Sequence, residues 1–327
     1  MLKRHLNQIT VALVLAATLP LSFAQSAAPS WPTKPIKLIV PYAAGGPADV
    51  VARELALVLT ADLKQPVTVE NQGGGMGVPA LGVVARAEPD GHTLLLAAFG
   101  NMVLQPMLSK KGGADLVAKL KPVSTISTGP HVLVVSAKLP VKNIPELIDY
   151  ARANPGKISF ASAGTGGTAH LGMEMFKALS KTDVIHVPYK GSAGAVNDLI
   201  SGEVSAMFSS LPSLQGLADK GLVKVLAATA PSKSNATKSL PLIGTALPGF
   251  DYTTWYAMYA PLATPKPLVD VINVALSKAL KTPALVAKIE AAGTELQAGS
   301  PEEVQAWTQR DTEKWARVIR DAKIAVD

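Results

Sequence analysis

Cysteine is missing from all 327 residues. Its absence excludes disulfides, a lipid-modified cysteine, thiolate catalysis and cysteine metal sites. Charge is sparse at 17% and aromatic residues are sparser at 5%. No block of Lys and Arg carries interleaved aromatics, so the pattern of a nucleic-acid surface is lacking. H-E-x-x-H and comparable histidine spacings are missing, which removes the common metal signatures. A nucleophile elbow is missing too: in Tyr189-Lys190-Gly191-Ser192-Ala193-Gly194, Lys190 stands two residues before Ser192, where G-x-S-x-G needs glycine. The apolar run at residues 9–21 is interrupted by Pro20 and falls short of the roughly 20 residues needed to span a bilayer.

That run has another use. Lys3, Arg4 and His5 precede it, and Ser22-Phe23-Ala24 follows with small residues at the two positions a signal peptidase reads. Residues 1–24 therefore read as a cleaved secretory signal, with a mature start at Gln25 and a soluble periplasmic product. The formal charge of +7 loses Lys3 and Arg4 on cleavage, leaving a mildly basic chain that favours anionic ligands. What remains is longer than one core usually organises, so two domains are expected. Residues 25–35, rich in Ser, Ala and Pro, read as an extended linker.

Two stretches repeat one design. In the first, Ile36, Leu38, Ile39 and Val40 supply a buried strand, residues 42–46 turn on glycine, and Pro47 opens a helix carrying Leu55 and Leu59. In the second, Ile158 and Phe160 precede Ala163-Gly164-Thr165-Gly166-Gly167-Thr168, and Met173, Phe176 and Leu179 continue as a helix. A glycine turn feeding a helix start leaves backbone N–H groups pointing outward at the positive end of the helix dipole, so each loop is a potential anion seat. Two such seats in one chain suggest a cleft.

Strands and helices alternate elsewhere. Residues 66–70 read as a strand ended by the glycines of residues 71–77, which lead into a helix over 78–86. Further strands are read at 93–98, 132–136, 184–187, 204–208 and 223–228, and helices at 144–153 and 193–201; residues 110–121 read as loop plus a weak helix. This is an α/β pattern. The tail differs: a proline-rich linker at 261–267 is followed by helices at 268–280 and 283–292. A last helix is opened by a capping box, Ser300 with Glu303. The tryptophans of that helix, Trp307 and Trp315, are read as core packing.

Several stretches together resemble a known family. Trp31-Pro32-Thr33-Lys34-Pro35-Ile36, Val40-Pro41-Tyr42-Ala43-Ala44-Gly45-Gly46-Pro47-Ala48-Asp49, Glu70-Asn71, Pro89-Asp90-Gly91-His92-Thr93, Phe160-Ala161-Ser162-Ala163-Gly164, His186-Val187-Pro188-Tyr189-Lys190-Gly191 and Pro261-Leu262-Ala263-Thr264-Pro265 look like the solute receptors of tripartite tricarboxylate transporters, the Bug-type family. The resemblance covers nearly the whole mature chain. It implies a two-lobed periplasmic binding fold of the type II-like, Venus flytrap kind, with lobe 1 at 25–128 plus 249–327, lobe 2 at 129–248, and the helical C-terminal tail packed on lobe 1. It also implies a small-molecule carboxylate pinched by the two loops through backbone groups and ordered waters, membrane permease subunits as partners, a monomer, and no cofactor or metal.

The candidate ligand-binding set follows from the two loops. On the first are Tyr42, Ala43, Gly45, Gly46 and Asp49; on the second are Ser162, Gly164, Thr165, Gly166, Gly167, Thr168 and His170. Asp49, near helix position N3, either caps backbone donors or contacts ligand. Thr165, Thr168 and His170 can donate to a carboxylate, and His170 can equally cap its helix. Ser209, with Ser210, resembles a family position facing the cleft, and reads equally as a polar strand end. Pro47 and Ala48 depart from the family's glycine and hydroxyl residue, so the first seat offers fewer donors. Phe99 and Met102 would make the far end of the ligand apolar if they faced the cleft, and strand-end packing is their commoner fate.

Two other readings were open. Gly164-Thr165-Gly166-Gly167-Thr168-Ala169 fits a G-x-G-x-x-A dinucleotide pattern. The next strand, however, runs through His186-Val187 to Pro188-Tyr189-Lys190 without an acid for a ribose. The chain is therefore not expected to be an enzyme. The same fold could also present its liganded form to a sensor kinase.

Overall fold

The computed structural model describes residues 30–108, 113–189, 192–291 and 293–321. The signal segment 1–24, the start at Gln25 and Lys190-Gly191 lie outside these residues, as does part of the 110–121 stretch. Within them the chain is α/β and two-lobed, with one sheet per lobe.

Strand β1 (Ile36–Val40) leads through the first glycine loop into helix α1 (Pro47–Leu63), and β2 (Val67–Asn71) returns parallel to β1. The helix starts at Pro47 because that residue presets φ and has no N–H to lose there. It ends at Lys64, which adopts a left-handed φ of 56° and bonds back to the Thr60 carbonyl. A tight turn at Gly75–Gly77 opens α2 (Val78–Ala85), and β3 (Thr93–Ala98) joins the other side of β1. A wide helical turn, Gly100–Leu104, follows. Strand β4 (Leu120–Gly129) completes the first passage through lobe 1.

Lobe 2 begins at β5 (Val132–Ser136) and α3 (Ile144–Ala153). Then β6 (Ile158–Ser162), the second glycine loop, α4 (Thr168–Ser180) and β7 (Val184–Pro188) repeat the opening unit, again with parallel strands. Helix α5 (Ser192–Ser201), β8 (Ala206–Ser209), α6 (Pro212–Asp219) and β9 (Val223–Ala228) finish a sheet of order β7-β6-β8-β5-β9. The chain then crosses back as β10 (Thr254–Pro261), which lies antiparallel between β3 and β4 in the first sheet. Helices α7 (Lys266–Ala279) and α8 (Pro283–Ala291), the short β11 (Glu295–Leu296) and α9 (Pro301–Asp321) form the tail.

Two expectations are corrected. Strands β4 and β10 were not read from the sequence; residues 120–121 belong to β4, and residue 261 ends β10 rather than opening a linker. In β4, Ser124, Thr125 and Ser127 are buried alongside Val123 and Ile126, so both faces are covered and the apolar alternation that signals a strand is lost. The capping box does form: Ser300 Oγ accepts from Glu303 N–H at 3.3 Å, and Glu303 accepts from Ser300 N–H at 3.1 Å.

The lobes share a core. Phe99 lies between Trp255 of β10 and Trp315 of α9, and Trp315 meets Tyr252, which meets Phe208 and then Phe160 of lobe 2. Phe99 and Met102 are therefore buried in this packing, and neither lines a cleft. At the crossing, Thr254 Oγ1 donates to the Gly129 carbonyl at 3.0 Å, and Thr229 N–H donates to the His131 carbonyl at 2.9 Å.

Candidate ligand-binding site

Both glycine loops sit at the carboxyl ends of interior strands, each one in from a parallel edge strand, where open α/β sheets place ligands. The first is held at both ends by one chain of polar contacts. Asp49 Oδ2 accepts from the Gly45 N–H and from Arg53 Nε, each at 2.9 Å. Arg53 Nη2 donates to Asn71 Oδ1 at 3.1 Å, and Asn71 Nδ2 donates to the Tyr42 carbonyl at 3.2 Å. Burial works against the Asp49 charge, but Arg53 and the Gly45 N–H outweigh it and hold the carboxyl below its usual range. Asp49 thus caps its own loop, and the Gly45 N–H is spent on it.

The second loop is held by histidines. His170 Nδ1 accepts the Gly166 N–H at 3.0 Å. The His170 ring stacks on His186, with centroids 3.9 Å apart and planes 20° from parallel. Ser162 Oγ lies 2.7 Å from His186 Nε2 and 2.9 Å from the Gly164 carbonyl oxygen, and it accepts the Gly164 N–H at 3.2 Å. The hydroxyl proton serves one of those two acceptors; when it goes to Gly164, His186 donates from Nε2. Burial, and then His186, push His170 down to about 4, and burial lowers His186 as well. Ser162 is 1% exposed, and among the described residues no carboxylate bonds to His186. The Ser162–His186 contact is part of the scaffold that holds the second loop.

Four of the five glycine amides named from the sequence, all but that of Gly46, are already engaged within the protein. Gly45, Gly164 and Gly166 give their N–H groups to side chains within the loops, and Gly167 gives its own to the Gly164 carbonyl at 3.4 Å. Further open donors lie one step on. In α1 the first helical bond runs from Val50 N–H to the Gly46 carbonyl, and in α4 from Leu171 N–H to the Gly167 carbonyl. The N–H groups of Ala48 and Asp49, and of Thr168, Ala169 and His170, thus have no acceptor among the described residues, as a helix start requires. With Pro47 at its head, the first seat has the smaller set.

The loops meet across Gly100. An ideal Cβ on Gly100 would lie 3.8 Å from Tyr42 Oη and 3.9 Å from Thr168 Oγ1, so one hydroxyl from each loop borders the same point. Burial pushes the Tyr42 hydroxyl well above its ordinary value, keeping it a neutral donor. Asn101 braces this region, accepting from the Ala98 N–H at 3.1 Å and donating to the Met76 carbonyl at 3.0 Å. Ala43 and Thr165 are exposed, and Gly46 is half-buried. Ser209 is half-buried at the end of β8, 3.1 Å from Ser213 Oγ at the start of α6; the contacts here do not bring it to the other residues of the set.

Sequence reasoning missed Arg53, Asn71, His186 and Asn101 as members of the site. Arg53 had a signal, since it stands four residues after Asp49 on one helix face. Arg53 is committed to Asp49 and Asn71, so among the described residues the seats present backbone donors and neutral hydroxyls.

Comparison with known proteins agrees with the two-lobed α/β fold. Residues 51–324 match the profile of the tripartite tricarboxylate transporter family receptor, TctC. A protein encoded in the tcbD-tcbE intergenic region of Pseudomonas sp. (strain P51) is 34% identical over 300 residues, spanning 90% of this chain and 88% of the relative. The structure of R. palustris Rpa4515 with adipate superposes with a TM-score of 0.83 at 31% identity, covering 90% of this chain and 99% of that one. The periplasmic binding protein BugD gives a TM-score of 0.80 at 33% identity, covering 90% and 99%.

Proposed function

This chain belongs to the tripartite tricarboxylate transporter receptor family, and on that premise we propose that it captures a small carboxylate in the periplasm and delivers it to a membrane permease. The observation that carries this reading is the meeting, at Gly100, of the Tyr42 hydroxyl from the first loop with the Thr168 hydroxyl at the start of α4. A carboxylate placed there lies beside the head of α4, where dipole and open N–H groups act together, and its second end can turn toward the head of α1. The Tyr42 and Thr168 hydroxyls add neutral donors. The adipate in a solved relative at 31% identity supports a dicarboxylate as the ligand class.

In this reading lobe 1 comprises residues 25–128 with 249–327, and lobe 2 comprises residues 129–248. The two segments that cross between the sheets serve as the hinge, and ligand bridging both loops favours the closed arrangement. Residues 1–24 direct export, and the mature protein acts as a monomer that docks on permease subunits. Ala48, Asp49, Thr168, Ala169 and His170 contribute backbone N–H groups to the ligand, while the side chains of Asp49, Ser162 and His170 shape the loops.

A thermal-shift series with adipate, its monomethyl ester and its dimethyl ester tests the assignment. A ligand at 100 times its dissociation constant adds about 2.7 kcal/mol of stability. Adipate or a neighbouring straight-chain dicarboxylate is expected to raise the melting temperature and the dimethyl ester to leave it unchanged. Equal stabilisation by acid and diester would overturn the helix-start seat.

A further inference from the structure

We propose that His170 and His186 are positioning residues for ligand capture: a stacked pair that keeps the second loop in its receptive shape while neutral and releases it on protonation. The inference rests on the carboxylate-receptor reading and deepens it by assigning the second seat an acid limit.

The loop needs such a holder. Gly166 is buried with φ +76°, and Gly164 has φ +148°, so neither conformation is self-supporting in the way a helix or strand is. The Gly166 N–H points into the protein and finds its acceptor in His170 Nδ1 at 3.0 Å. At the other end of the loop the Gly164 N–H is held by Ser162 Oγ, which is itself 2.7 Å from His186 Nε2. The stack of the two rings joins these anchors. An imidazole that accepts at Nδ1 must be unprotonated there. Proton uptake at Nδ1 turns that atom into a donor facing another donor, and the loop loses its internal bond.

The surroundings oppose that uptake. His170 is 7% exposed, and His186 lies on its face from β7. Ser162 approaches from β6 with a neutral hydroxyl, and Tyr252 packs near Gly172 on the same helix. Among the described residues Glu174 is the one carboxylate within 4 Å of either ring, at 3.8 Å from His170 Nε2 and one turn along α4. Burial raises the pKa of Glu174, and the charge of Lys177 on the same helix partly offsets that. Glu174 sits on the Nε2 side, so it favours the tautomer with hydrogen on Nε2 and leaves Nδ1 free to accept. Gly166 is closed on its outer side by Met76 and Leu108, which are apolar.

The assignment makes a prediction opposite in sign to a direct contact. If His170 held the ligand as a cation, affinity would rise on acidification. As a neutral acceptor it makes affinity fall, in the range near pH 4 to which His170 is depressed.

Two measurements test this, one without ligand. Long-range ¹H–¹⁵N spectra of the mature protein are expected to show His170 as the Nε2–H tautomer at pH 7, titrating well below 6.5, with the Gly166 amide shifting at the same midpoint. An Nδ1–H tautomer, or a Gly166 amide blind to that titration, overturns the proposal whatever the ligand is. The second measurement is adipate affinity from pH 6 to pH 3.5 for wild type and His170→Asn, whose amide oxygen replaces Nδ1 without titrating. The ratio of wild-type to variant affinity cancels the titration of adipate itself. It is expected to fall about threefold or more across that range, and a ratio that rises or stays flat overturns the assignment. Failure of adipate to bind either protein at pH 7 counts against the ligand class and leaves the spectroscopic arm to decide on the histidines.

Discussion

Gly166 of the second loop packs onto Met76 of the turn before α2: an ideal Cβ on Gly166 would lie 3.0 Å from Met76 Cε and 3.3 Å from Leu108 Cδ1. One residue belongs to the lobe 2 sheet unit and the other to lobe 1, so the glycine sets how closely the two can approach. Its side-chain direction faces the opposite lobe, while its N–H faces His170. Any substitution there strains a left-handed φ and also pushes Met76.

Gly166→Val is therefore expected to weaken ligand binding at least tenfold, about 1.4 kcal/mol, by holding the lobes apart. Calorimetric titration measures this. The clash and the strain separate in a double mutant: Met76→Ala should restore part of the affinity of Gly166→Ala if the contact dominates, and none if the backbone dominates.

At the first loop, Asp49→Ala removes the acceptor for both the Gly45 N–H and Arg53. The expected cost is about 1–3 kcal/mol, since Asp49 is buried and charged. Arg53→Ala should cost less than about 1 kcal/mol because its side chain is 52% exposed. Urea unfolding of the two variants gives the ranking, and a larger effect at Arg53 would refute it. The pH dependence follows from the lowered pKa of Asp49: its contribution is present above the ordinary value of 3.8 and is lost as pH falls through the folded value.

The crossing between the two sheets has a titration of the same sign at higher pH. His131 Nδ1 lies 3.3 Å from the Tyr252 hydroxyl, and burial pushes the imidazole down to about 4. Between about 4 and the ordinary 6.5 the unfolded chain binds the proton and the folded chain does not. Stability therefore declines as pH falls through that window and is level above it. His131→Gln is expected to flatten this slope in thermal melts at pH 4.5 to 7, and an unchanged slope would assign it to other groups.

Much of this organisation was legible from local pattern. Aliphatic runs ending in glycine marked both strand–loop–helix units, because backbone freedom and helix polarity are encoded within a few residues. Strands β4 and β10 were not legible. Ser124, Thr125 and Ser127 are buried by neighbours far along the chain, and no local period reports that. The structure shows the use of two loop donors: the N–H groups of Gly45 and Gly166 go to the side chains of Asp49 and His170. The partnership of His170 with His186 depends on β7 lying beside β6, which is register information that spacing alone does not carry.

The tail offers the sharpest test of packing. Trp255 Nε1 donates to Asp311 Oδ2 at 2.6 Å in a buried setting, and Arg310 Nε reaches Asp311 Oδ1 at 2.8 Å. This bond fixes α9 against β10, and α9 also carries Trp315 between Phe99 and Tyr252. Asp311→Ala strands a buried indole N–H, at a cost of about 1–3 kcal/mol. Trp255→Phe removes that donor, so in the Asp311→Ala background it should cost less than in wild type. Chemical denaturation of the four proteins in the cycle measures the coupling. A coupling below about 0.5 kcal/mol would mean that the tail is held by aromatic packing alone. In that case Trp315→Ala, expected to cost about 3–5 kcal/mol, becomes the variant that detaches α9 from both lobes.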